Sequence, residues 1–236
     1  MDIFECITTR RSIRNFKSKK VDKDDLFLLV EAGMYAPTAG NLQDFRFIVT
    51  NKQKIINEVA THCMEQGWIS KATGLIVICS QPKLQREWYG PKGDRIFAVQ
   101  NAAAAAQNIL LAANAIGLGA CWVSGFDQEA IDNLFKTSSK ARVEVIIPVG
   151  YPNEKPDKKS MEQLDIMMYF DEYGNKKSDV LKINKDYSAI IERNIRKIPA
   201  KTESLKEKIT YLINKVNYQI KNKKETEDSE DKKNSK

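Results

Sequence analysis

The sequence predicts a domain of the α/β or α+β class, built in three layers around a central sheet. Helical and strand patterns alternate along the first 165 residues. One continuous apolar run of strand length, GLIVICS, occupies residues 74–80. Such a run is typical of a strand that is covered on both faces. Alternating elements of both kinds build layered domains of this class.

The first elements follow from the hydrophobic periodicity. VDKDDLFLLVEAGMYA predicts a helix that Asp22 caps, with Leu26, Leu29 and Val30 at helical spacing. FRFIVT is rich in β-formers and predicts a strand at residues 45–50. KQKIINEVATHCMEQ predicts the helix that follows this strand.

The strongest helical pattern is DRIFAVQNAAAAAQNILLAANAIG, with Gly117 as its C-cap glycine. Its alanines at residues 102–106 permit close packing of the helix. GACWVSGF predicts a strand that runs into a turn at Ser124 and Gly125. RVEVIIPVGYP predicts the last strand of the body, which proline ends.

After Pro156 the periodicity weakens, and we expect an irregular connecting segment at residues 166–200. A narrow apolar stripe predicts an amphipathic helix at 201–220. Its members are Leu205, Ile209, Leu212, Val216 and Ile220. Residues 221–236 contain only Lys, Asn, Glu, Thr, Asp and Ser, so we expect a disordered charged tail.

Composition argues against several classes of protein. The net charge of +7 is diffuse and the aromatic residues do not interleave with the basic run, so we expect no nucleic-acid partner. No apolar run reaches the roughly 20 residues of a membrane helix, so we expect no membrane partner. MDIFECITTRR lacks the pattern of a signal peptide, and the expected compartment is the cytoplasm.

Metal and hydrolase chemistry find few suitable residues. With one histidine, His62, and four scattered cysteines, we expect neither a zinc site nor a Ser-His-Asp triad. Cys79 and Cys121 lie in apolar runs and are expected to be small buried residues. The glycines of GLGACWVSG follow a helix, which is the wrong context for a Rossmann turn.

Three stretches carry candidate binding groups. RRSIRNF, from Arg10, offers forked arginine donors that suit phosphate, although a charged helix end would also explain it. APTAGNLQDFRF, from Ala36, places amide and hydroxyl groups in a tight loop that could contact a flat heterocycle or be a plain turn. GLGACWVSGF, from Gly117, offers glycines where backbone can approach a ligand.

Together with IIPVGYP, these stretches resemble the nitroreductase family, whose motifs occur in the same order. The resemblance covers about residues 1–165 and identifies them as an FMN-binding domain. It implies an α+β, nitroreductase-like three-layer fold with a central mixed β-sheet flanked by helices. The helix predicted at 201–220 would then be a C-terminal helical extension, and residues 166–200 could wrap around a partner subunit.

The resemblance also implies an activity. It predicts an FMN-dependent oxidoreductase that takes hydride from NADH or NADPH and reduces nitroaromatic, quinone or similar acceptors by a ping-pong mechanism. FMN would lie at the interface of a homodimer, and no side chain would be catalytic because the flavin carries the chemistry. A specialised relative (a reductive dehalogenase or a flavin-processing enzyme) and a non-catalytic flavin-binding or interaction protein stay open as alternatives.

Site residues follow from the match to the family motifs. Residues expected to hold the phosphate and ribityl chain are Arg10, Arg11, Ser12, Arg14, Lys158 and Lys159. Residues expected in the loop against the isoalloxazine ring are Pro37, Thr38, Ala39, Asn41 and Gln43. Ser124 and Gly125 match the turn at the reactive edge. Asp44 replaces the family's usual proline, and it could alter substrate preference or face solvent.

Overall fold

Strand β2 (Gly74–Ser80) is buried along its whole length, as the apolar run predicted. It lies between β1 (Phe45–Thr50) and β4 (Arg142–Gly150) in a four-stranded sheet of order β1-β2-β4-β3. The short strand β3 (Gly119–Ala120) forms one edge. These strands belong to a computed structural model that describes residues 1–137, 140–162 and 164–175.

All three strand pairs are antiparallel, with Phe45 opposite Ser80 in the first. Parallel pairing occurs in the described part of the chain only as a bridge between Ser12 and Ala120. The predicted mixed sheet is therefore mixed only at its β3 edge, where the amino-terminal stretch joins it.

The described helices include those predicted before β1, after β1 and in the alanine-rich segment. The full set is α1 (Ile3–Thr9), α2 (Lys23–Met34), α3 (Gln53–Thr61), α4 (Pro82–Lys92), α5 (Ala98–Ala115), α6 (Gln128–Phe135) and α7 (Leu164–Met167). Asp22 is the N-cap residue of α2, although its side chain makes no capping hydrogen bond.

The pleat of β2 divides the core into two faces, since alternate side chains point to opposite sides of a sheet. Ile76 and Ile78 pack with residues of α2 and α5. Leu75 and Val77 pack with residues of α3 and α6 on the other face. Helices on both faces of one sheet make the three predicted layers.

Helix α5 begins later than the sequence predicted, because a π-turn at Gly93–Phe97 precedes it. Gly90, with φ of 62°, marks a kink just before that turn. By length and composition alone, the helical run Pro82–Ala115 could cross a membrane. Its buried side chains, among them Ala102 and Ile109, instead lie in the core of the domain.

The arginine-containing stretch docks along the β3 edge. Ile13 N donates to Ala120 O at 3.1 Å, and Lys17 N donates to Tyr151 O at 2.8 Å. A Cβ on Gly119 would lie 2.8 Å from Ile13 Cβ, which is closer than unstrained atoms approach. The stretch can lie this close to the sheet only because residue 119 has no side chain.

The C-terminal predictions lie largely outside the described residues. The first compact unit is Met1–Lys159, and the second begins at Ser160. Described parts of the second unit include α7. The helix predicted at 201–220, the tail at 221–236 and residues 176–200 are not among the described residues.

We expect Gly119→Ala to lower the free energy of unfolding by about 1–3 kcal/mol, the usual range for overpacking. The contacted atom is the branched Cβ of Ile13, which cannot swing away as the end of a flexible side chain can. Urea denaturation measures the change. Gly67→Ala is the matched control, since a Cβ there meets nothing within 4 Å. Equal stability of the two variants would contradict this account of the docking.

Candidate functional site

The docked arginine stretch forms one wall of a cavity of about 350 Å³. The end of α5 and the segment after β4 form the other walls. The lining residues are Thr9, Arg10, Arg11, Ile13, Leu110, Asn114, Gly117, Leu118, Ala120, Pro152, Glu154, Lys155, Pro156 and Lys158. Four of them are cationic and one is acidic, so the cavity favours an anion.

The two neighbouring arginines have different surroundings. Arg11 donates to the carbonyl oxygens of Thr8 at 2.9 Å, Arg10 at 2.8 Å and Asp157 at 3.0 Å. Its guanidinium therefore ties the arginine stretch to the segment that carries Lys158. Within the described residues, no hydrogen bond or ion pair holds the Arg10 guanidinium. Arg10 is thus available to a ligand, whereas Arg11 acts mainly as a brace.

Glu154 fastens the same two segments from the other side. Its carboxylate accepts hydrogen bonds from Arg14 N and, at 3.0 Å, from Asn15 N. Asn153 N also donates to Asn15 O at 2.9 Å. Two consecutive backbone N–H groups thus hold the Glu154 carboxylate next to the cavity. The segment after β4 therefore lies close along the arginine stretch.

The remaining predicted phosphate-side residues lie outside the cavity lining. The Arg14 guanidinium lies 5.9 Å from the centre of the Trp68 ring. Ser12 pairs through its backbone with Ala120. Lys159 is exposed and is not among the lining residues, whereas Lys158 is. The structure therefore brings Arg10, Arg11 and Lys158 together.

The predicted ring-side loop has an unusual backbone. Gly40, Asn41 and Gln43 all have positive φ, at 59°, 55° and 48°. Left-handed backbone is unfavourable for residues other than glycine and persists where surrounding contacts hold it. One such contact is the hydrogen bond from Gln43 N to Thr38 Oγ1 at 3.0 Å. The loop is therefore held in one defined shape.

A residue that the sequence analysis missed holds the middle of this loop. Asn101 of α5 accepts a hydrogen bond from Ala39 N at 3.1 Å. Its amide nitrogen donates to Asp44 Oδ1 at 2.6 Å. Asp44 is fully buried, so the expectation that it could face solvent is wrong. A polar residue on the buried face of an alanine-rich helix was the signal that could have identified Asn101.

The loop and the cavity lie at different places along α5. The loop is bonded to Asn101, and the cavity is lined by Asn114, which is thirteen residues further on. At 1.5 Å per residue, this separation is about 20 Å along the helix. Within one chain, the predicted phosphate end and the predicted ring end are therefore far apart.

The predicted turn at Ser124 and Gly125 rests on the loop after α3. Gln66 Nε2 donates to Gly125 O at 3.3 Å, and Met64 Sδ would lie 3.4 Å from a Cβ on Gly125. Ser124 is exposed. The turn therefore has one face supported by protein and one side chain open to solvent.

Three of the four cysteines are poorly suited to act as nucleophiles. All four are free and buried. Burial raises the pKa of Cys63 to about 11, and burial with nearby Asp132 and Glu144 raises that of Cys79 to about 12. Burial also raises the pKa of Cys121, although Arg14, Ser12 and Arg10 act against it. Because the thiolate is the reactive form, these three thiols are unreactive at neutral pH.

The arrangement suits a phosphorylated ligand more than proton-transfer or nucleophilic chemistry. Arginine and lysine side chains at the cavity are strong donors to phosphate oxygens. A loop of defined shape with exposed polar groups lies at the other end of α5. The residues present thus fit a cofactor that has an anionic end and a flat polar ring.

Comparison with known proteins agrees with this interpretation. Two archaeal relatives, from Archaeoglobus fulgidus and Methanothermobacter thermautotrophicus, are named for NADH dehydrogenase/NAD(P)H nitroreductase activity. They are 30% and 31% identical over 160 residues, which span 66% of this chain and 88% and 80% of theirs. A solved FMN-dependent nitroreductase from Clostridium difficile aligns with a TM-score of 0.62 at 26% identity, covering 72% of this chain and 100% of that one.

The family model is the strongest comparison, because it covers more than half of the chain and includes the motif-bearing segments. It matches residues 7–74 and 66–151, under the description Nitroreductase family. The arginine stretch, the loop bonded to Asn101 and the β3 edge all lie within these ranges. The chain therefore belongs to the nitroreductase family.

Proposed function

We propose that this protein is an FMN-dependent oxidoreductase that uses NADH or NADPH to reduce nitroaromatic, quinone or similar acceptors. The observation that carries the proposal is the cationic cavity that Arg10 and Lys158 line beside the docked arginine stretch. The names of the archaeal relatives and the FMN-dependent nitroreductase with the same fold support it.

The protein's contribution is binding and orientation. Arg10 and Lys158 would hold the FMN phosphate, while Arg11 and Glu154 keep their two segments at a fixed separation. Thr38 and Ala39 would contact the ring from a loop that is already shaped. When bound, FMN would supply the redox chemistry, which is to accept a hydride from NADH or NADPH and to pass two electrons to the acceptor.

We further propose that the site is shared between two copies of the chain. The ring-side loop and the phosphate-side cavity are about 20 Å apart along α5 in one chain, so a second copy would supply the missing end. Ile3, Phe4 and Ile7 on α1 are 60%, 65% and 50% exposed. Clustered exposed apolar side chains of this kind are typical of protein interfaces.

The first test is turnover. We expect purified protein to carry FMN and to oxidise NADH or NADPH only when an acceptor such as a quinone or a nitroaromatic is present. If donor and acceptor use one site in turn, double-reciprocal plots at several acceptor concentrations give parallel lines. Intersecting lines would contradict the ping-pong mechanism, and a protein that neither carries nor binds FMN would contradict the whole proposal.

Arg10→Ala tests the phosphate end. Loss of a charge-assisted hydrogen bond from a guanidinium is expected to weaken FMN binding by roughly 10- to 100-fold. Riboflavin, which has no phosphate, should bind both proteins equally well. Titration of apoprotein by flavin fluorescence measures the two affinities. Lys54→Ala on α3 removes one exposed positive charge as the matched control. Equal losses for FMN and riboflavin would refute the assignment of Arg10.

A mixing experiment tests the shared site. Arg10→Ala damages the phosphate end, and Gly40→Val damages the loop, because Gly40 has φ of 59° and its Cβ would meet the Tyr89 hydroxyl. If two chains build each site, random mixed dimers regain about a quarter of the native sites. Measured flavin content should then exceed that of both parents. A mixture whose flavin content equals the average of the two parent variants would place both ends of the site in one chain.

A further inference from the structure

The buried pair Asp44 and Asn101 is not explained by the stability of the core. Asn101 is 5% exposed and Asp44 is fully buried. Burial of a carboxyl group and an amide among apolar side chains is costly unless their polar atoms are bonded. One carboxylate oxygen, Asp44 Oδ2, has no hydrogen-bond partner within the described residues. A pair this costly to bury needs a role beyond packing.

The hydrogen bonds of the pair form a chain from Asp44 through Asn101 to Ala39 in the loop. The Asn101 amide nitrogen donates to Asp44 Oδ1, so this bond fixes which side of the Asn101 amide carries the nitrogen. The amide oxygen then points to Ala39 N, which donates to it at 3.1 Å. If the amide turned over, an NH₂ group would face the Ala39 N–H and the bond would be lost. Asp44 therefore controls the acceptor that holds Ala39.

The bonded position lies where the loop is most constrained. Ala39 directly precedes Gly40 and Asn41, both of which have positive φ. Thr38 Oγ1 holds the far end of the loop through Gln43 N. Two backbone hydrogen bonds, from Asn41 N to Thr38 O and from Leu42 N to Ala39 O, also hold the loop, but the Asn101 bond is the one that anchors Ala39 to α5. Without it, the left-handed residues would lose this anchor, and the loop could relax toward lower-energy shapes.

We propose that Asp44 and Asn101 are positioning residues that hold the loop at Thr38–Gly40 in the shape that binds the flavin ring. This inference rests on the proposed FMN site and assigns a role to the acid that replaces the family's usual proline. Because both side chains are buried, they would act through the backbone N–H of Ala39. Their substitution should therefore weaken binding of the flavin ring, whereas substitution of Arg10 should weaken binding of the phosphate.

The test compares flavin affinities of apoprotein variants by fluorescence titration. Asn101→Ala should weaken FMN and riboflavin binding by the same factor, about tenfold, which corresponds to one net hydrogen bond. Asn108→Ala is the matched control on the same helix, since Asn108 donates to Ala32 O on α2, away from the loop. Wild-type affinity for both flavins in Asn101→Ala would overturn the proposal.

An exchange of the two side chains separates positioning from folding. Asn101→Asp alone sets two carboxyl groups against each other and should weaken flavin binding at least as much as Asn101→Ala. Adding Asp44→Asn restores a donor facing an acceptor, while the carboxylate introduced on α5 still accepts from Ala39 N. Recovery of both affinities to within a few-fold of wild type is the expected result. If the double variant is folded by circular dichroism but does not recover, the proposal fails.

The outcomes also distinguish this inference from the proposed function. Wild-type apoprotein that binds neither flavin would refute the FMN site itself. Wild-type binding with unchanged affinity in Asn101→Ala would refute only the positioning role. A loss confined to FMN, with riboflavin binding unchanged, would move the role of Asn101 to the phosphate end and also overturn the inference.

Discussion

The close packing of helix α5 against the sheet is the constraint on which the site depends. Ala102, Ala105 and Ala106 are fully buried at this contact, and small side chains let the helix lie near the strands. Beside it on the same face of the sheet, a Cβ on Gly33 of α2 would lie 3.0 Å from Ile109. Because the helix fits tightly against both the sheet and α2, its two ends are firm supports. One end holds the loop through Asn101, and the other borders the cavity.

Charged groups near the cavity divide into those that hold the protein together and those left for a ligand. Arg11 donates to three carbonyl oxygens, and Glu154 accepts from two backbone N–H groups. Their charges therefore serve to fix the spacing of two segments. Arg10 and Lys158 face the cavity without such bonds in the described part of the chain. A preorganised cradle of this kind binds an anion without first having to order itself.

Sequence reasoning predicted the parts of this structure that local pattern determines. The continuous apolar run of β2 implied burial on both faces, and the alanine-rich stretch implied a long helix. It failed where tertiary contacts decide: GACWVSGF yields only the strand Gly119–Ala120, since the chain beyond it bonds irregularly to β4. Asp44 is buried because Asn101 approaches it from a helix 57 residues away. No local sequence pattern predicts a contact between residues so far apart in the chain.

The Arg11–Asp157 hydrogen bond joins residues 146 positions apart in the chain. Closing so long a loop costs conformational entropy that local contacts cannot offset, so the bond forms only once the intervening layers are in place. During synthesis the arginine stretch leaves the ribosome first and waits for the segment after β4. The anion cradle is accordingly one of the last features that the folding chain completes, and its presence reports that the whole body has folded.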